Sequence, residues 1–363
     1  MLTKYIKELV DLVGVSSREE EVIRYIFPKF KEYSEDVHVD KLGNIILKIP
    51  SKKENVKKLM IFAHMDEIGF IVRKIEPDGF LRIERIGGVS TQILPGFVID
   101  LLGKKGVVKG IIGTPAHHFI KPEDKFSVPQ VEKLYIDIGA KSDEEVFQMG
   151  IDVGTFGVFE SRYLEMSNRI VCGKALDDRA ALAVILQFLE ESKNISCEWD
   201  IYIVAAVMEE FNIRGILPAV HKIKPDAMLG IDITPSCDTP DMYYNDVVLG
   251  KGPALCYMNF HGGGTLAGVL PDKQMLEYAE KIFENAAIPY QREISPGIIT
   301  ENAFTLFENE GIPVCNFSIP TRYTHTPVEC VSLDDLEMLI QAMKEFIKGL
   351  KEDIHFGKDG DYE

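Results

Sequence analysis

No apolar stretch in this 363-residue chain approaches the roughly 20 residues that a membrane-spanning helix needs. The longest aliphatic run is Ala180–Leu186, so no segment is predicted to cross a bilayer. The opening residues, Met1-Leu-Thr-Lys-Tyr-Ile-Lys7, lack the apolar core and small-residue cleavage site of a secretory signal. Cysteine is sparse and scattered. The six residues Cys172, Cys197, Cys237, Cys256, Cys315 and Cys330 show no C-x-x-C spacing. This argues against a disulfide framework and against a cysteine-built zinc site, and reduced thiols fit a cytoplasmic protein. Basic residues are outnumbered, 40 Lys and Arg against 57 Asp and Glu, for a net charge of −17. A surface of that sign repels nucleic acid and anionic lipid, so neither is expected as a partner. There is no internal repeat and no low-complexity tract.

What is present has the composition of an ordinary globular protein, 46% hydrophobic and 27% charged. The length suggests two domains or three. Tyr5, Ile6, Leu9, Val10 and Val13 recur at helical spacing. Ser16-Ser-Arg-Glu-Glu20 offers two overlapping capping boxes before a second helix that runs to about Phe30. Strands are predicted at 37–39, 44–49 and 58–63, the last a nearly continuous apolar run suited to a strand buried on both faces. From Gly69 to about Tyr163, short β-rich pieces alternate with turns such as Pro77-Asp-Gly79 and Gly113-Thr-Pro115. That pattern predicts a small inserted β-barrel or sandwich. Beyond Asn168 helices are predicted at about 178–192, 271–287 and 332–350, and strands at 199–208, 227–231 and 312–319. Ser332 with Asp335 is read as the opening of the last helix. The polar tail from Lys351 is expected to be loose. Helices alternating with apolar strands point to a mixed α/β sheet with helices on both faces.

Ligands of open α/β sheets bind at the carboxyl ends of strands, and five segments place metal-capable residues there. They are His64-Met-Asp66, Asp177-Asp178 at the start of a helix, Glu209-Glu210, Asp232, and His325 after Pro320-Thr-Arg-Tyr-Thr. Each alone has an ordinary structural explanation: a hydrogen-bonded histidine, a helix cap, a solvated turn. Together, carboxylates converging on a partly buried rim would repel one another unless a cation joined them. Two histidines and three carboxylates suit borderline metals such as Zn²⁺, Co²⁺ or Mn²⁺ better than Mg²⁺ or Ca²⁺. Glu209 and Glu210, as neighbours on an extended backbone, are expected to point in different directions. His117-His118 lies in a turn and lacks the spacing that aims two rings at one ion.

The ordered set Ala63-His-Met-Asp-Glu-Ile-Gly69, Gly173-Lys-Ala-Leu-Asp-Asp-Arg179, Met208-Glu-Glu210, Gly230-Ile-Asp232 and Ile319-Pro-Thr-Arg-Tyr-Thr-His-Thr326 resembles metallopeptidase family forty-two. These are the glutamyl and tetrahedral aminopeptidases, some formerly labelled endoglucanases. Gly87-Gly-Val89, Ile136-Asp-Ile-Gly-Ala-Lys-Ser142 and Gly250-Lys-Gly-Pro253 add to the match. The resemblance implies a zinc-aminopeptidase-like catalytic domain from residues 1–68 and 164–363, with an inserted β-barrel or PDZ-like oligomerisation domain over 69–163. It implies two divalent ions per subunit, Zn²⁺ or Co²⁺ with Mn²⁺ as a further candidate. Asp177 would bridge them, His64 and Asp232 completing one ion and Glu210 and His325 the other. Such a pair acidifies a shared water and polarises the scissile carbonyl. Glu209 would be the general base and acid, and Asp66 would orient His64. The implied substrates are peptides with a free N-terminus. The implied state is a homo-oligomer, up to a tetrahedral dodecamer, and the Asp177–Asp178 peptide bond is expected to be cis.

The family's usual Gly-Gly-Thr-Asp-Ala reads Ile298-Ile-Thr-Glu-Asn302 here. Glu301 is thus a candidate substrate-binding acid, one carbon longer than usual, in a reshaped pocket. The segment Gly14-Val-Ser-Ser-Arg18 also lacks the Gly that family members often carry after the serine. Another co-catalytic zinc hydrolase, of carboxypeptidase or aminoacylase type, would carry similar ligands. A glycoside hydrolase needs two carboxyls flanking a sugar bond, and the single tryptophan, Trp199, leaves little aromatic platform for a glycan. A non-enzymatic assembly scaffold would have no use for an intact ligand set.

Overall fold

The computed structural model describes residues 1–359 except 123, 124, 194, 241 and 243. The amphipathic opening forms α1 (Leu2–Val10), with Ile6, Leu9 and Val10 fully buried. α2 (Glu20–Lys31) follows, but neither expected capping box forms: its N-cap is Glu19, with no side-chain cap bond. Ser16 and Glu19 spend their side chains elsewhere, as described below. Next come β1 (Val37–Val39), β2 (Ile45–Ile49) and β3 (Lys58–His64), the last buried along almost its whole length.

The chain then builds β4 (Gly69–Ile75), β5 (Leu81–Ile86), β6 (Val98–Gly103), β7 (Gly106–Ile112), β8 (Tyr135–Asp137), the short helix α3 (Asp143–Gln148) and β9 (Phe156–Phe159). The six strands close into a barrel in the order β4-β5-β8-β7-β6-β9. Closure removes the free edges that short strands would otherwise expose. Phe70, Val72, Leu81, Ile99, Leu101 and Phe159 fill it, with Phe70 and Phe159 edge to face at 5.2 Å.

The chain then returns through β10 (Leu164–Glu165), β11 (Ile170–Gly173), α4 (Leu176–Glu191), β12 (Asp200–Ala206), α5 (Glu209–Asn212), α6 (Leu217–Ile223) and β13 (Ala227–Pro235). β14 (Ala254–His261), β15 (Ala267–Val269), α7 (Lys273–Asn285), β16 (Gln291–Pro296), α8 (Asn302–Thr305), β17 (Val314–Arg322), β18 (Glu329–Ser332) and α9 (Leu333–Gly349) complete it. The main sheet runs β1-β2-β12-β3-β13-β17-β18-β11-β10, and its centre, β12-β3-β13-β17, is parallel. α1, α2, α4, α7 and α9 cover one face, while α6 and α8 pack on the other. Strands β14, β15 and β16, which extend this sheet from β17, were not read from the sequence. Their half-exposed residues and the Gly262-Gly-Gly264 turn hide the period of a buried strand.

Two further expectations fail. Ser332 caps α9 without a side-chain bond, and Asp335 instead accepts the backbone N–H groups of Gly250 and Gly252, both at 2.7 Å. The described part of the tail, to residue 359, is not loose: Trp199 Nε1 donates to the Lys351 carbonyl at 2.9 Å, and Phe356 packs against Trp199 and Tyr278; residues 360–363 lie outside the described residues. Below the sheet's carboxyl rim lies a buried charge cluster. Glu67 accepts from Lys174 Nζ at 2.6 and 2.7 Å and from Arg179 Nη2 at 3.0 Å, tying the turn between β3 and β4 to the start of α4.

Candidate metal centre

The parallel strands deliver their ends to one rim. Ala206 of β12 pairs with His64 of β3, and Gly230 of β13 pairs with Phe62, so Asp232 comes level with His64. The segments that leave this rim turn sharply. Ala175 (φ 55°), Met208 (φ 58°) and His325 (φ 60°) are all left-handed without being glycine, conformations that persist where the surroundings over-determine them. The Asp177–Asp178 bond is cis. Glu209 and Glu210 do not lie on extended backbone as expected, because the left-handed Met208 starts the helical turn α5 immediately. They still diverge, since successive helical residues point about 100° apart. Glu209 Oε2 lies 4.0 Å from His64 Nε2, and Glu210 Oε2 lies 3.6 Å from His325 Nε2.

Asp177 sits between the two histidines. Its Oδ1 is 3.2 Å from His64 Nε2 and its Oδ2 is 3.3 Å from His325 Nε2. Donor atoms of His64, Asp177 and Glu210 all lie within 4.8 Å of one another. A second group with the same spacing combines His64 and Asp232 with Asp178, which belongs to a metal-capable segment but is not one of the five expected ligands. Asp178 Oδ2 accepts the His64 N–H at 3.2 Å, while its Oδ1 is buried without a partner. His64 Nδ1 faces the Asp66 carbonyl oxygen at 3.1 Å and the Asp66 carboxylate at 3.4 Å. That carboxylate does more than face His64. It accepts the backbone N–H groups of Glu209 (2.9 Å) and Glu210 (3.1 Å) and the Ser16 hydroxyl (2.5 Å). Glu301, just before α8, is 2% exposed, and its Oε1 has no partner.

Other supporting residues were not anticipated. Glu19 Oε1 accepts the N–H groups of Ser17 (2.8 Å) and Met208 (3.1 Å), which explains why it does not cap α2. Glu329 accepts the N–H groups of Asp177 and His325. The barrel also reaches the centre, because the Gly88 carbonyl lies 3.1 Å from His325 Nδ1. Only the Gly87-Gly-Val89 string hinted at this, and it says nothing of where the loop folds. His117 and His118 lie on a short exposed turn, away from these groups, with rings 5.9 Å apart.

Burial dominates the electrostatics. It pushes the carboxyls of Glu209, Asp178 and Glu301 well above the usual range, Glu210 to about 8 and Asp232 to about 7. Mutual repulsion among the acids adds to each shift. Asp177 is the exception. Burial opposes its charge, but hydrogen bonds from His325 and His64 hold it below the usual range. Burial also opposes charge on His64, yet Asp177 and Asp66 raise it well above normal. Glu210 and then Asp177 do the same for His325. A cluster that drives this many carboxyls toward their neutral forms lacks positive charge. Imidazole nitrogens and carboxylate oxygens lie within a few ångströms of one another, and Asp178 among them keeps a buried oxygen without a partner, so the residues fit divalent cations of the zinc class.

The M42 glutamyl aminopeptidase family matches residues 43–341. SgcX of Escherichia coli (strain K12) is 43% identical over 331 residues, covering 91% of this chain and 89% of that protein. Among solved structures, aminopeptidase APDkam598 from the archaeon Desulfurococcus kamchatkensis is similar with a TM-score of 0.90 at 33% identity, over 97% of this chain and 96% of that one. The Pyrococcus horikoshii TET1 peptidase, which can assemble into a tetrahedron or a large octahedral shell, is similar with a TM-score of 0.84 at 26% identity, over 96% and 100% of the two chains.

Proposed function

The chain belongs to the M42 glutamyl aminopeptidase family and is a metal-dependent aminopeptidase, and on that footing we propose that it releases N-terminal residues from peptides with two divalent ions held by His64, Asp177, Glu210, Asp232 and His325. The observation that carries this reading is Asp177, with one carboxylate oxygen facing each histidine. Asp177 would be shared, His64 and Asp232 would serve one ion, and Glu210 and His325 would serve the other. Asp178 stands close enough to His64 and Asp232 to assist the first. The N,O donor set favours Zn²⁺ or Co²⁺, then Mn²⁺. When bound, the ions supply Lewis acidity toward water and the scissile carbonyl.

This chain's own residues do the rest. Glu209, buried and free of a ligand role, takes the proton of the attacking water and delivers it to the leaving amine. Asp66 holds the Glu209 and Glu210 backbones and faces His64, so one carboxylate fixes the aim of three site residues. Asp178, Glu209 and Glu301 set carboxyl oxygens beside the five donors, acceptors that suit the N–H groups of a free α-amino group better than a blocked N-terminus. The unpartnered Glu301 Oε1 offers that group an acceptor.

We read residues 1–68 and 164–363 as the catalytic domain and 69–163 as an insertion that builds a homo-oligomer. Phe119 (85% exposed) and Phe126 (96% exposed) on that insertion support assembly, as does the likeness to TET1. Six free cysteines fit a cytoplasmic location, and no described helix is long and apolar enough to cross a membrane.

The test is a panel of aminoacyl-nitroanilides and their Nα-acetylated counterparts, run after chelation and again after adding Zn²⁺, Co²⁺ or Mn²⁺. Activity should return with metal and only on free amines. Turnover that survives complete chelation defeats the metal reading, and equal turnover of blocked substrates favours an acylase.

A further inference from the structure

Glu329 opens β18 four residues after His325 and 152 residues from Asp177. Its side chain is 2% exposed, and both oxygens are engaged by backbone. Oε2 accepts the Asp177 N–H at 3.0 Å, and Oε1 accepts the His325 N–H at 2.7 Å. The two amides belong to the residues whose side chains meet across the centre, Asp177 Oδ2 lying 3.3 Å from His325 Nε2. One carboxylate therefore clamps the α4 entrance and the turn after β17 at a fixed separation. The clamp matters most at His325, whose φ of 60° is a conformation that non-glycine residues seldom hold unaided. A backbone N–H bonded at that residue keeps the imidazole pointed at Asp177.

We propose that Glu329 is a positioning residue that sets the spacing of Asp177 and His325 and so tunes the affinity of the centre for divalent ions. The inference rests on the reading that these residues hold metal. Glutamine in its place keeps the shape but turns an NH₂ toward one of the two N–H groups, leaving that amide without an acceptor. Aspartate keeps the charge but is one methylene too short to reach both amides. If Glu329 acted through charge alone, aspartate would serve. If it acts through geometry, both variants fail alike.

The experiment uses full-length protein stripped of metal and titrated with Co²⁺ against a chromogenic chelator, with the cobalt visible spectrum recorded. Glu329→Gln and Glu329→Asp should each bind Co²⁺ about 10- to 100-fold more weakly, the range typical when a partner of a metal ligand is removed. Both should shift the cobalt bands and lose more melting temperature with metal than without. Variants with wild-type affinity and spectrum overturn the proposal, and a Glu329→Asp that matches wild type overturns the geometric part. Wild-type protein that binds no Co²⁺ defeats the metal reading itself, a separate outcome. If the variants do not fold, hydrogen exchange of metal-free wild type decides. The Asp177 and His325 amides should be protected, and rapid exchange at both overturns the clamp.

Discussion

Asp177 stands apart from the acids around it, held below the usual carboxylate range by two imidazoles while burial raises its neighbours. If it is shared by two ions, Asp177→Asn should lose both in elemental analysis. One full equivalent left tightly bound would refute the shared role. The adjacent acids should separate by phenotype, since each faces a different histidine. Glu209→Gln is expected to keep both metals and lose turnover on the order of 10²-fold, as for a general base. Glu210→Gln should lower metal occupancy. The reverse pattern would exchange the two assignments. At this scale the donors were legible because their types follow apolar strands, whereas their supports were not. Ser16 and Glu19 look like helix caps, and only the approach of Asp66 and Met208 turns them toward the site.

The loop between β5 and β6 brings the barrel to the candidate metal centre. A β-carbon on Gly88 would lie 2.6 Å from His325 Nδ1, and one on Gly87 would lie 3.2 Å from Glu210 Oε2. Gly88→Ala must therefore displace the His325 ring and should cost about 10- to 100-fold in metal affinity. Calorimetric Zn²⁺ titration measures this, and unchanged affinity would show that the loop yields. Excising the barrel is thus no neutral way to study assembly. At the β3–α4 junction, Glu67→Gln leaves Lys174 and Arg179 buried beside a neutral partner. Removing one member of such a group costs about 3–5 kcal/mol. The urea midpoint should fall accordingly, and a shift within error would mean that water reaches the cluster.

The barrel closes on its own core yet leaves Phe119, Phe126 and Val128 exposed. A homo-oligomer that buries them would restrict entry to short peptides. Light scattering of the intact protein at micromolar concentration should report a particle well above the mass of one chain. A monomer there would remove the assembly reading and leave the metal chemistry standing.

The sequence by itself determined the α/β alternation, the β-rich segment after Gly69 and the residues able to bind metal. These are local properties: period, turn chemistry and side-chain type. Only the tertiary structure decided what depends on distance between remote segments. It brought Asp178 beside Asp232, turned the Ser16 hydroxyl to the Asp66 carboxylate, and moved Glu19 and Asp335 from helix caps to distant amides. It also laid a barrel carbonyl against His325 and joined Asp177 to His325 through Glu329. A carboxylate spends its hydrogen bonds on whichever donors packing places within about 3 Å, and packing is a property of the whole chain.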